Sequence, residues 1–148
     1  MTDDRAKEDL PIRKGDTLLD ETEAKSSTIL DIMKLKAKVT EPGASATECS
    51  SIADEDTFSG VHTWSAYGVP FAELQQAMDR LRQDLPKKGW KIVKDGPDRS
   101  RSKSPQILAE SRKDRFTADI RLRKRGPDGS KDPSVIHVAV TSGCYRSK

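Results

Sequence analysis

The chain has 148 residues, 33% hydrophobic, 34% charged and 5% aromatic, with a formal net charge of +3. This length suits one hydrophobic core, and so polar a composition leaves part of the chain unpacked. No apolar run approaches the ~18 residues of a membrane-spanning helix, and the opening MTDDRAKEDL lacks the apolar centre of an export signal. Charge is divided unevenly: residues 1–74 carry 8 Lys and Arg against 15 Asp and Glu (−7), whereas residues 75–148 carry 19 against 9 (+10). Either the two halves neutralise each other in the fold, or the basic half meets an anionic partner.

Residues 1–14 are charged and aperiodic and read as a flexible lead, leaving 15–148 as a single domain. A helix is expected over residues 16–37, with Asp16 capping its first turn and Leu18, Thr22, Lys25, Ile29 and Met33 on one face. Its acids come early and its lysines late, as the helix dipole favours. Residues 39–57 then read as a loop, in which Asp54, Glu55 and Asp56 lack the alternating oxygen ligands and closing Glu of a calcium-binding hand. FSGVHTWSAYGV alternates with period two, a half-buried strand with Trp64 on its core side. The next stretch is the most regular: Pro70 opens a helix whose Phe71, Leu74, Met78, Leu81 and Leu85 form one apolar stripe, and Pro86 and Gly89 end it.

WKIVK, QILAESR, DRFTADIRLRKR and SVIHVAVTS follow as strands joined by turn-rich segments too short for helical crossovers. In the third of these, Phe116, Ala118, Ile120 and Leu122 share one face. The fold class is α+β: an antiparallel sheet of four to five strands with two helices packed on one face, in the order α-β-α-β-β-β(-β).

The two cysteines leave this arrangement at neighbouring points. Cys49 precedes the first strand and Cys144 follows the last, so both reach one edge of the sheet and a disulfide is geometrically permitted. Closing a loop of about 95 residues would stabilise the fold by roughly 4 to 5 kcal/mol before native strain is subtracted. Two free thiols, a zinc site built from Cys49, His62, His137 and Cys144, and a Cys/His nucleophile pair are the alternatives. The zinc set lacks any closely spaced ligand pair, and histidines on strands are more often structural than basic. The Cys49–Cys144 bridge is the pairing adopted.

The basic residues fall in RSRSK (Arg99, Arg101, Lys103) and in a longer run holding Arg112, Lys113, Arg115, Arg121, Arg123, Lys124 and Arg125. Arg99, Arg101, Lys103, Arg112, Arg121, Arg123, Lys124 and Arg125 are the candidate anion-binding set, against the plainer reading of solvated strand faces and hairpin tips. Nucleic acid is the less favoured partner, because few aromatics accompany the charges and no reading helix frames them. Phosphate loops, nucleophile elbows and HExxH pairs are all missing, so no enzyme class, metal or cofactor is suggested. An unrecognised active site would instead require His62, Tyr67 and a carboxylate such as Glu110 to meet in one cleft.

TWSAYGVPFAELQQAMDRLRQDLPKKGWKIVKDG, the two-strand region after it, VIHVAVTSGCYR, and the N-terminal DRAKEDLPIRKGDTLLDE together resemble a group of small secreted or lipid-anchored proteins of high-GC actinobacteria. The resemblance spans residues 5–146 and implies an envelope location and an oxidised cysteine pair, without an assigned reaction. The expected role is a non-catalytic secreted or envelope binding module, whose partner is an envelope polymer, a lipid head group or a protein. An immunity or inhibitor protein, and a nucleic-acid or other polyanion binder using the basic half, are the alternatives. An extracytoplasmic site requires an export signal already removed; otherwise the protein is cytoplasmic.

Overall fold

The computed structural model of the protein describes residues 10–40, 42–49, 56–111, 113, 115–124 and 134–147. The long strands are β4 (Thr57–Tyr67), β5 (Lys91–Pro97), β6 (Pro105–Ser111), β7 (Phe116–Arg123) and β8 (Val135–Ser142), with the alternation of buried and open positions clearest in β7 and β8. β5 to β8 form an antiparallel meander and β8 returns beside β4, giving the central order β4-β8-β7-β6-β5. Four short strands complete nine among the described residues: β1 (Ile12–Arg13), β2 (Lys38–Val39), β3 (Ser45–Thr47) and β9 (Tyr145–Ser147). β2, β3 and β9 pair antiparallel with β4, and β1 runs parallel to β9.

β8 and β9 are nearly one strand. Val61 of β4 faces Thr141, but Phe58 faces Tyr145, so the register slips by one residue between them. The extra residue falls at Gly143 and Cys144, a bulge that bends the strand where the cysteine leaves it.

Helices α1 (Gly15–Met33) and α2 (Phe71–Asp84) cover one face of the sheet. α1 buries Leu18, Thr22, Ser26, Ile29, Ile32 and Met33, and α2 buries Leu74, Ala77, Met78 and Leu81, with Leu85 just beyond. They meet Trp64 and Ala66 of β4, Ile107 of β6, Ile120 of β7 and Val138 of β8 in one core. Even-numbered positions of β4 face the helices: a Cβ at Gly60 would stand 2.6 Å from Thr22 Oγ1. Odd-numbered ones, such as Thr63 and Ser65, belong to the opposite face.

The structure corrects several expectations. α1 stops at Met33 rather than Ala37, because Lys34 takes the left-handed conformation (φ 50°) and Arg80 of α2 donates to the Met33 carbonyl at 2.8 Å. Asp16 does not cap this helix; Lys14 holds the cap position and Asp16 Oδ1 accepts from the N–H of Thr17 at 2.8 Å. The segment read as a loop contains Val39 of β2 and all of β3, and its last residue, Thr57, opens β4. Part of the segment expected as a lead is held to the sheet, since Ile12 and Arg13 pair with β9 and Arg146 Nε donates to the Leu10 carbonyl at 3.2 Å; residues 1–9 lie outside the described residues. The sheet is mixed and nine-stranded among the described residues, not an antiparallel one of four or five. Strands of two or three residues are too short for any period to repeat, which is why pattern reading passed over them.

Candidate functional site

The predicted anion-binding residues divide into three groups. Arg99, Arg101 and Lys103 are exposed on the β5–β6 hairpin. That hairpin is shaped by Asp98, a buried carboxylate whose Oδ1 accepts from the Ser100 hydroxyl and from the backbone N–H groups of Ser100 and Ser104, both at 3.0 Å. Its own N–H donates to the Ser104 carbonyl at 2.8 Å. The Ser100 hydroxyl does most to hold the Asp98 carboxyl below the usual carboxylate range, against burial and with help from the two amides and Arg121.

Arg121 is not available as an anion ligand. Its Nε and Nη2 donate to the two oxygens of Asp119 at 3.1 and 3.0 Å, and Nη1 donates to Asp98 Oδ2 at 3.3 Å. Gln106 Nε2 donates to Asp119 Oδ1 at 3.0 Å and Gln106 Oε1 accepts from Lys94 Nζ at 2.9 Å, extending the network across three strands. Burial raises the Asp119 pKa, but the hydrogen bonds from Arg121 and Gln106 outweigh it and leave the group lowered. The same Asp119 bond raises the pKa of Arg121. This guanidinium fastens the hairpin to the sheet, a structural duty that a basic run in the sequence does not reveal.

Arg123 and Lys124 are exposed two and three residues beyond the Gln106–Arg121 pair, at the same end of the sheet as the hairpin. Lys124 Nζ lies 5.3 Å from the Phe71 ring centre. Arg112 and Arg125 lie outside the described residues, as do Asp54 and Glu55.

Cys49 and Cys144 are disulfide-bonded across 95 residues, with their Cα atoms 5.9 Å apart. The bond ties the segment before β4 to the bulge between β8 and β9, and the Ser59 hydroxyl lies 3.5 and 3.8 Å from the two sulfurs. The histidines are elsewhere. His62 points to the helical side, with Nδ1 2.7 Å from Ser26 Oγ and Nε2 2.8 Å from the Pro42 carbonyl, whereas His137 lies on the opposite face with Nδ1 3.0 Å from Ser65 Oγ. The sheet separates them, so neither the four-residue zinc set nor a Cys/His pair is assembled. No other trio of His, Cys, Asp or Glu among the described residues is placed to hold a metal. Burial, reinforced by Arg123 and Arg121 and opposed by Asp119, lowers the His137 pKa. His62, Tyr67 and Glu110 do not share a cleft: Glu110 pairs with Thr117 towards the disulfide end of the sheet, and Tyr67 pairs with Val135 at the other.

Two concavities escaped sequence reasoning. Beside the disulfide, β1, α1, the β6–β7 turn and β9 surround a cavity of about 520 Å³ lined by Arg13, Glu21, Lys25, Lys113, Arg115 and Tyr145, among others. Arg13 pairs with Glu21. The guanidinium carbons of Arg13 and Arg115 lie 5.5 and 5.2 Å from the Tyr145 ring centre, and Lys25 Nζ is 5.6 Å from that of Phe116. Arg115 Nη1 reaches the Cys144 carbonyl at 3.4 Å, and Gly143 leaves room for it: a Cβ there would stand 2.9 Å from Nη2. Lys113 and Arg115 belong to the basic run already noted, but Arg13 and Lys25 are about a hundred residues away and no local spacing links them.

The second concavity, about 370 Å³ between α1 and the β2–β3 segment, is lined by Ser26, Leu30, Val39, His62 and Trp64, among others. Among the described residues, no acceptor meets the buried indole N–H of Trp64. Comparison with known protein families, with curated proteins and with solved structures finds no match to this chain.

Proposed function

We propose that the protein is a non-catalytic binding module of an oxidising, extracytoplasmic compartment, secreted or held at the cell envelope, that engages an anionic polymer through the basic end of its sheet. The Cys49–Cys144 bond carries this reading, because disulfides form and persist where thiols are not kept reduced. The resemblance to small secreted or lipid-anchored actinobacterial proteins points the same way. Arg99, Arg101 and Lys103 supply exposed charge on a hairpin fixed by Asp98 and Arg121, an arrangement that attracts a polyanion without enclosing it.

Titration with polyphosphate at low and high salt tests the reading. Binding is expected to weaken about tenfold or more as salt screens the contact, and to weaken similarly in the Arg99→Ala/Arg101→Ala/Lys103→Ala variant. No binding at low salt, or a variant that binds as well as the parent, removes the polyanion role. Mixed-sequence DNA belongs in the same titration: tighter binding than polyphosphate of equal charge would move the assignment to nucleic acid. Alkylation and intact mass of protein taken directly from its own cells check the compartment, since thiols that react before reduction contradict an oxidised pair.

A further inference from the structure

We infer that the cavity between α1 and the β2–β3 segment binds a small uncharged organic molecule, mostly apolar and carrying a carbonyl oxygen, and that this oxygen accepts from the indole N–H of Trp64. The site is separate from the basic hairpin and independent of its role. Trp64 is 3% exposed and forms part of the cavity wall, and its N–H meets no acceptor among the described residues. Buried donors are nearly always paired, because one without an acceptor has given up its bond to water for nothing. A ligand oxygen supplies the missing partner, whereas a hydrocarbon of the same shape does not. The N–H is covered by neighbouring atoms, so seating the oxygen turns the indole slightly towards the cavity. At about 370 Å³ the space falls within the range of small-molecule sites.

The lining favours an uncharged, acceptor-bearing ligand. Leu30, Val39 and Pro42 supply apolar surface, and Glu23, the only Asp, Glu, Lys or Arg among the described lining residues, disfavours an anion beside it. Glu23 Oε1 accepts from the Ala44 N–H at 2.9 Å, and a ligand ammonium would offer a further donor where an acceptor is wanted. His62 is engaged on both sides. A carbonyl can only accept, so Nε2 donates to Pro42, and in the neutral ring Nδ1 accepts from the Ser26 hydroxyl. The Thr40 N–H donates to the Ser65 carbonyl at 3.0 Å, and the Ser65 N–H donates to Thr40 Oγ1 at 2.9 Å. Together these bonds hold the segment from Thr40 to Ala44 against α1 and β4. The cavity is therefore formed before a ligand arrives, which reduces the ordering that binding must impose.

Proton–nitrogen correlation spectra test the site, because the chain has two tryptophans and hence two indole N–H signals. The probes are cyclohexanone, the hydrocarbon methylenecyclohexane of the same shape, and cyclohexanecarboxylate. Cyclohexanone is expected to move the Trp64 indole proton downfield in a saturable way and to leave that of Trp90 in place, and the carboxylate to bind more weakly. Affinities are read from the amide signals of Val39 and Gly43, which line the cavity. Trp64→Phe should weaken cyclohexanone about tenfold while changing methylenecyclohexane by less than about twofold, the loss of one hydrogen bond rather than of the cavity. Ser27→Phe, at an exposed lining position of α1, should block both ligands; it decides the matter should Trp64→Phe fail to fold, and thermal melting verifies that each variant is native. No saturable shift of the Trp64 signal, equal weakening of ketone and hydrocarbon by Trp64→Phe, unchanged binding in Ser27→Phe, or a carboxylate that binds as tightly as the ketone would overturn the assignment. The triple hairpin variant should bind cyclohexanone as the parent does, so loss of the polyanion role leaves this inference standing, and the converse also holds.

Discussion

Asp98 receives two backbone N–H groups, the Ser100 hydroxyl and one arm of Arg121, so its charged form is favoured in the fold. Its lowered pKa means that it stabilises the protein above the unfolded value of about 3.9 and loses that contribution as pH falls through the folded value. Asp98→Asn is therefore expected to lower the urea midpoint at neutral pH, and the gap from the parent to shrink in acid. His137 has the same sign at a higher pH: with its pKa lowered, its contribution is present above about 6.5 and declines below it, so His137→Gln should flatten the stability profile there. Trp64 offers a different test. Its buried indole N–H meets no acceptor among the described residues, so Trp64→Phe sheds an uncompensated donor and should cost less than about 1.5 kcal/mol by urea denaturation. Ser100 and Ser104 are near neighbours of Asp98 in the chain, but its ionic partner is not. Asp98 and Arg121 are 23 residues apart, and only the pairing of β6 with β7 brings them together.

At the scale of elements, α2 and the long strands were legible because a repeating apolar period runs through each of them. Leu74, Met78, Leu81 and Leu85 are buried as their spacing implied, and so are Phe116, Ala118, Ile120 and Leu122. Leu81→Ala is expected to cost about 2 to 5 kcal/mol, read from the shift in urea midpoint. The contact of α1 with β4 depends on a residue that the pattern cannot value. Gly60 allows Thr22 Oγ1, which donates to the Leu18 carbonyl at 2.7 Å, to approach the strand closely. Gly60→Ala should force the helix outward at a cost of about 1 to 3 kcal/mol, with amide exchange quickened in α1 more than in α2. The short strands β1, β2, β3 and β9 were not legible, since they exist through the longer strands and the neighbouring β9 that they border.

For the molecule as a whole, the Cys49–Cys144 bond closes the sheet at the end opposite the basic hairpin. The Cys49→Ser/Cys144→Ser protein is expected to lose about 2 to 5 kcal/mol in urea denaturation. The sequence alone determined the long strands, the two helices, their apolar faces and a plausible cysteine pairing, since each follows from periodicity or from position relative to an element. Tertiary structure alone decided that Arg121 serves the hairpin rather than a ligand, that the histidines lie on opposite sides of the sheet, and that Arg13, Lys25, Lys113 and Arg115 share a cavity. The physical reason is that side-chain period is a local property, whereas meetings between distant residues depend on strand order and register, which are set by burial of the whole core.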